Sequence, residues 1–149
     1  MRKLLGTLVL TLVCLGQDAA NPWAKEDLIE PATLAAALDS AKSPIILCTA
    51  FAALYRSKRI PHAREAGPGS KPEGIALLKK AVADLPKDAD IVLYCGCCPM
   101  EKCPNIRPAY RTLREMGYRH VRVLNVPTNM HVDWFGKGYP AETGSTPGA

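Results

Sequence analysis

The sequence lacks the usual marks of a nucleic-acid or membrane protein. Its 19 Lys and Arg stand against 14 Asp and Glu, a formal net charge of +5, and no block of one sign gathers them. Aromatic residues make up 6% and do not interleave with basic ones. Scattered charge of this kind reads as a solvated surface, and no nucleic-acid partner is expected. Histidine is scarce: His62, His120 and His131 stand alone, with no H-x-x-x-H between them. A second C-x-x-C is missing as well, so the paired-ligand pattern of a structural zinc site is incomplete. No internal repeat is present. Beyond the N-terminus there is no long apolar run, so no membrane span is expected after processing.

What is present starts at the N-terminus. Met1-Arg-Lys is a short cationic region, Leu4 to Leu15 is apolar and uncharged, and small residues follow at Gly16 and Ala19-Ala20. This is the pattern of a secretory signal peptide, assigned to residues 1–20, with an apolar run too short to cross a bilayer comfortably. The protein is therefore expected to be exported, periplasmic or secreted. Cys14 raises the alternative of a lipid anchor, against which Val13 is larger than a lipobox usually has. A single domain is expected over residues 21–142, with a small, polar, flexible tail at 143–149. Apolar content of 48% and mean hydropathy of −0.03 suit a globular protein with a real core, and a monomer is expected. Export matters for cysteine, because thiols outside the cytosol tend to pair. Five of the six cysteines would survive cleavage, and an odd number leaves at least one free, reactive or engaged elsewhere.

Apolar runs at Ile45–Cys48, Ile91–Tyr94 and Val121–Leu124 read as buried strands. Ile60–Ala63 reads as a further short extended piece. Helical spacing appears over Ala32–Leu38, Glu73–Leu85 and Ile106–Met116, with a helical turn at Phe51–Tyr55. Ala66–Pro72 is a loop by composition, and Gly117 is a natural helix stop. Strands alternating with helices predict an α/β fold, a mostly parallel central sheet with helices on both faces. In such sheets ligands sit beyond the carboxyl ends of the strands.

Cys95 falls at such an end, in Tyr94-Cys-Gly-Cys-Cys-Pro-Met-Glu-Lys-Cys103. The helix after it is expected to open with Asn105 as N-cap and Pro108 in its first turn. A thiol between a strand end and a helix N-terminus is placed to ionise, since the helix end offers unpaired N–H groups and partial positive charge.

The order of elements resembles the rhodanese-like, or sulfurtransferase, family across roughly Pro31 to Pro140. The resemblance is carried by Ile91-Val-Leu-Tyr-Cys95, by Leu113-Arg-Glu-Met-Gly-Tyr118, by Val121-Arg-Val-Leu124, and by Trp134 with Gly138-Tyr-Pro140. Ile60-Pro-His-Ala63 is similar to the family's His-Ile-Pro-Gly-Ala segment, with the histidine displaced and the glycine replaced. The sequence departs from the family where Cys48 and Ala50 replace an Asp and Arg after the second strand. Its cysteine loop is also longer and holds Cys97, Cys98 and Cys103, as in a cysteine-rich exported subgroup. The resemblance implies sulfur transfer from a small anionic donor, such as thiosulfate, to a thiol or cyanide through a persulfide on Cys95. Gly96, Cys97 and Cys98 then belong to the substrate-binding loop, with Lys102 and Arg107 as its cations. No cofactor is expected. The related phosphatases place arginine six residues after the cysteine, where this chain has Glu101.

The other loop cysteines leave three readings open. Cys98 or Cys103 resolves a modified Cys95, giving a thiol–disulfide redox protein. Alternatively, a Cys98–Cys103 disulfide staples the loop. In the third reading the thiolates hold a metal in a non-catalytic binding module. Cys48, Tyr94, Tyr118 and Asp133-Trp134 read as packing residues.

Overall fold

The computed structural model describes residues 20–144. The predicted signal peptide, Cys14 and the last five residues lie outside these, Ala20 apart. Among the described residues the strands are β1 (Leu28–Ile29), β2 (Ile45–Cys48), β3 (Arg64–Glu65), β4 (Asp90–Tyr94) and β5 (His120–Leu124). They form one parallel sheet in the order β1-β5-β4-β2-β3, packed between helices as predicted. The helices are α1 (Pro31–Ala37), α2 (Ala52–Ser57), α3 (Pro72–Ala81), α4 (Ile106–Glu115) and α5 (Met130–Asp133). No helix among these residues is long and apolar enough to cross a membrane.

The centre of the sheet is its most apolar part. Ile91 to Tyr94 are all buried, because a central parallel strand is covered on both faces. Chain direction reverses around β4 and β2: β2 leads outward to β3, β4 leads the other way to β5. The crevice beyond the carboxyl ends of β2 and β4 is thus the switch point where α/β sheets bind ligands. Thr49 closes the base of that crevice, its N–H and Oγ1 donating to the Tyr94 carbonyl at 2.8 and 3.1 Å.

Four expectations change. The two-residue β1 was not foreseen; a strand this short has no periodicity and exists only by pairing with β5. The extended piece expected at Ile60–Ala63 is a turn, with His62 at φ 60°, and the strand follows at Arg64–Glu65. Burial of Ile60, whose N–H donates to Tyr94 Oη, gives this segment its strand-like look. The helix expected to reach Leu85 ends at Ala81. The chain is also tied down further than expected. Arg59 and Glu142 exchange backbone hydrogen bonds, their side chains meet at 3.1 Å, and Arg59 Nη1 donates to the Gly144 carbonyl. A nearly buried guanidinium requires such partners, so residues 142–144 are held to the domain.

The closing corner packs as predicted. Trp134 is fully buried and its Nε1 donates to the Pro140 carbonyl at 2.8 Å. Asp133 Oδ2 accepts from the N–H groups of Thr128 and Asn129. Asn129 caps α5 by accepting from Val132 N–H.

Candidate active site

Cys95 follows the last residue of β4 and is buried, at 2% exposure. An isolated thiol so placed would resist ionisation, yet polar groups surround its sulfur. Asn105 Nδ2 donates to it at 3.6 Å, the Cys97 sulfur lies 3.3 Å away, and the Cys103 sulfur is within 4.8 Å. Led by the Cys103 hydrogen bond and opposed by burial, they hold the Cys95 thiol down at about 5. A negative sulfur ringed by donors is thus favoured at neutral pH.

The partners move the other way. Donation to Cys95 pushes the Cys103 thiol up, with burial adding to it. Burial, the Cys98 thiol and the Cys95 charge push the Cys97 thiol up. The cluster therefore carries one thiolate, and its proton loss belongs to the group as a whole.

Asn105 is the functional residue that sequence reasoning missed. It was expected to cap α4; instead its backbone is helical and its side chain makes no cap bond. Its Oδ1 accepts from Ser70 Oγ at 2.7 Å and Ser70 N–H at 3.2 Å, which turns Nδ2 toward Cys95. Ser70 can do this because Gly69 lets the loop approach: a Cβ on Gly69 would sit 2.2 Å from the Asn105 carbonyl oxygen. The Ala66–Pro72 stretch, a bare loop by composition, thus braces the site from outside the cysteine segment. The α4 N-terminus also acts elsewhere than expected. The N–H groups of Asn105 and Ile106 serve Cys103, because the long loop interposes that residue between Cys95 and the helix.

The predicted loop residues are gathered unevenly. Gly96 and Cys97 stand beside Cys95, with Cys97 exposed. Cys98 Sγ contacts that of Cys97 at 3.2 Å and lies outside the cluster of Cys95, Cys97 and Cys103, whose sulfurs are all within 4.8 Å of one another. All five described cysteines are free thiols. That trio is the set able to hold a metal ion. Arg107 does not face the thiolate: its guanidinium donates to Asn21 Oδ1 and to the Glu101 carbonyl, fastening the N-terminal arm. Lys102 is exposed. Lys58 is the cation on the cavity of about 270 Å³ beside Gly96, together with Leu54, Ser57, Met130, His131 and Phe135. Nothing in the linear sequence links Lys58 to Gly96; the folded chain does.

No family model matches the chain, and no curated protein does. Solved structures do. The chain is similar to the rhodanese-like domain of an Anabaena sp. protein, at 22% identity and a TM-score of 0.59 over 83% of this chain and 86% of that one. It is similar to thiosulfate sulfurtransferase from Pseudomonas aeruginosa, at 27% identity and a TM-score of 0.58 over 79% of this chain and 19% of that one. A third likeness is to EanB bearing a cysteine persulfide in a tetrahedral intermediate state with ergothioneine, at 24% identity and a TM-score of 0.58, covering 77% of this chain and 27% of that one. The chain has the fold of the rhodanese-like domains, and sulfurtransferases are among the proteins that share it.

Proposed function

We propose that the protein transfers sulfane sulfur through a persulfide on Cys95. The observation that carries this reading is the Cys95 sulfur at the end of the central strand, surrounded by Asn105 Nδ2 and loop groups that favour its ionised form. The Cys95 thiolate attacks the outer sulfur of thiosulfate or a similar anionic donor. The donor's S–S bond breaks, sulfite leaves with the bonding pair, and a new S–S bond makes the persulfide. A thiol or cyanide acceptor then attacks the outer sulfur, which departs on it, and Cys95 regains its thiolate. The donors that favour the first thiolate also favour the anion returned in the second step.

Lys58, on the cavity beside Gly96, is positioned to attract the anionic donor, a role the sequence assigned to Lys102 and Arg107. Cys95 itself is buried while Cys97 is exposed 3.3 Å away. The donor therefore enters past the Cys97 side chain, whose rotation is a fast motion. With export directed by the N-terminal signal, the reaction runs outside the cytosol. Thiosulfate–cyanide turnover tests the reading: wild type should form thiocyanate and Cys95→Ser should not. Equal turnover by the two would refute it.

One observation favours a second reading, thiol–disulfide exchange. The Cys95 and Cys97 sulfurs are 3.3 Å apart, close enough for an oxidant to join them after a small approach. Here the partner is Cys97 in place of Cys98 or Cys103. Free-thiol counts before and after mild reduction distinguish it, because a redox pair cycles by two thiols and a persulfide enzyme need not.

A further inference from the structure

We propose that Cys95, Cys97 and Cys103 form a binding site for a thiophilic metal ion, and that Cu(I) is the ion they suit. The proposal rests on the arrangement of the three sulfurs and is independent of the sulfur-transfer reading.

All three sulfurs lie within 4.8 Å of one another, and the Cys95–Cys97 edge is 3.3 Å. Three sulfurs bound at about 2.3 Å to one ion stand about 4 Å apart when coplanar with it. The triangle thus closes on an ion with shifts of under about an ångström. Among the described residues no fourth Cys, His, Asp or Glu joins the group at that spacing. A structural zinc site takes four ligands and an iron–sulfur cluster four cysteines. Cu(I) is soft, prefers sulfur and accepts three donors.

The surroundings are those of a built site. Cys95 is fixed by the strand end, and Cys103 is fully buried at the entry to α4. Asn105 Nδ2 donates to Cys95 and the Cys98 thiol contacts Cys97 at 3.2 Å, so two of the three sulfurs have outer partners that orient them. Cys97 is exposed and gives the ion its way in. Binding needs no redox step: Cu(I) remains Cu(I), three S–Cu bonds form, and the protons still held by Cys97 and Cys103 pass to solvent. Affinity should therefore rise with pH. Because Cys95 is shared, bound copper and a persulfide exclude each other.

The test is anaerobic titration of the reduced full chain with Cu(I) against a bathocuproine disulfonate competitor, followed by X-ray absorption of the loaded protein. One copper per chain held against the competitor, with three sulfur neighbours near ~2.3 Å, is the expected result. Cys97→Ser, at an exposed position that folding does not require, should weaken binding by more than the roughly 100-fold seen on losing an outer partner of a ligand. Cys98→Ser, which alters only an outer contact of Cys97, should weaken it far less. Failure to retain copper, oxygen or nitrogen neighbours in place of sulfur, or equal losses in the two variants would overturn the assignment. Thiocyanate formation is measured on copper-free protein, so either result stands without the other. On loaded protein Cys95 should resist alkylation, and react again when the chelator removes the metal.

Discussion

Cys48 ends β2 and Cys95 directly follows the adjacent β4, and each is 2% exposed. By burial alone they are the same residue. Burial pushes the Cys48 thiol up to about 12, with only the Ala50 N–H and the Tyr94 hydroxyl opposing. Cys95, equally enclosed, is drawn down to about 5 by Cys103, Cys97 and Asn105. Enclosure therefore does not make a thiol inert. The number of hydrogen bonds offered to its charged form decides. Cys48 is an apolar packing residue that happens to carry sulfur, and Cys95 is an enclosed thiol whose charged form is favoured.

That contrast can be broken most severely at the two sulfurs themselves. Cys95→Ser should lower thiosulfate–cyanide turnover by roughly a thousandfold or more, the scale of removing a nucleophile. Cys48→Ala should keep most of the turnover and lose about 1 kcal/mol of stability in urea denaturation, as a small cavity does. Similar losses of activity in the two would abolish the distinction. The next test removes the strongest donor. In Cys103→Ala the alkylation midpoint of Cys95 should climb from about 5 toward the ordinary thiol range. Turnover at pH 6–7 should fall by roughly tenfold and recover as pH rises, since below its midpoint a thiol loses about tenfold in thiolate for each further drop of one in pH. An unmoved midpoint would show that Cys103 is a bystander.

Asn105→Ala should raise the same midpoint by less, because Asn105 ranks behind Cys103 and the Cys97 N–H. Ser70→Ala should act in the same direction by releasing the Asn105 amide, and should add nothing in the Asn105→Ala background. Full additivity of the two would separate Ser70 from the site. The smallest effect is on stability against pH. For Cys95 the folded value lies below the unfolded one, near 8.5. Its contribution is complete above about pH 8.5, shrinks as pH falls, and is gone near pH 5. Cys48 has the opposite sign: its neutral form is favoured when folded, so it costs stability as pH rises from about 8.5 toward 12. Cys97 and Cys103 share that alkaline direction. Urea midpoints across pH should lose their rise between pH 5 and 8.5 in Cys95→Ser, and soften their alkaline decline in Cys48→Ala.

The strands that carry the sheet were legible because a central parallel strand must be apolar along its length. Ile45–Cys48 was read to the residue, and Ile91–Tyr94 and Val121–Leu124 to within one. Strands of two residues were not legible, since Leu28–Ile29 and Arg64–Glu65 owe their form to a partner and to no pattern of their own. The candidate nucleophile was legible for a local reason, its place at the end of the most apolar strand. Its supporting residues were not. Asn105 before a helix looks like a cap, and only the approach of Gly69 and Ser70 shows that it points at sulfur. Arg107, the natural anion-binding choice, is spent on Asn21 and Glu101, while Lys58 arrives beside Gly96 from a different crossover.

The sequence by itself determined the alternation of strand and helix and the position of Cys95, because hydrophobic period and turn residues act over short stretches of chain. Tertiary structure alone decided which of two equally buried cysteines ionises, because the protons that stabilise a thiolate come from residues that only the folded chain brings to it.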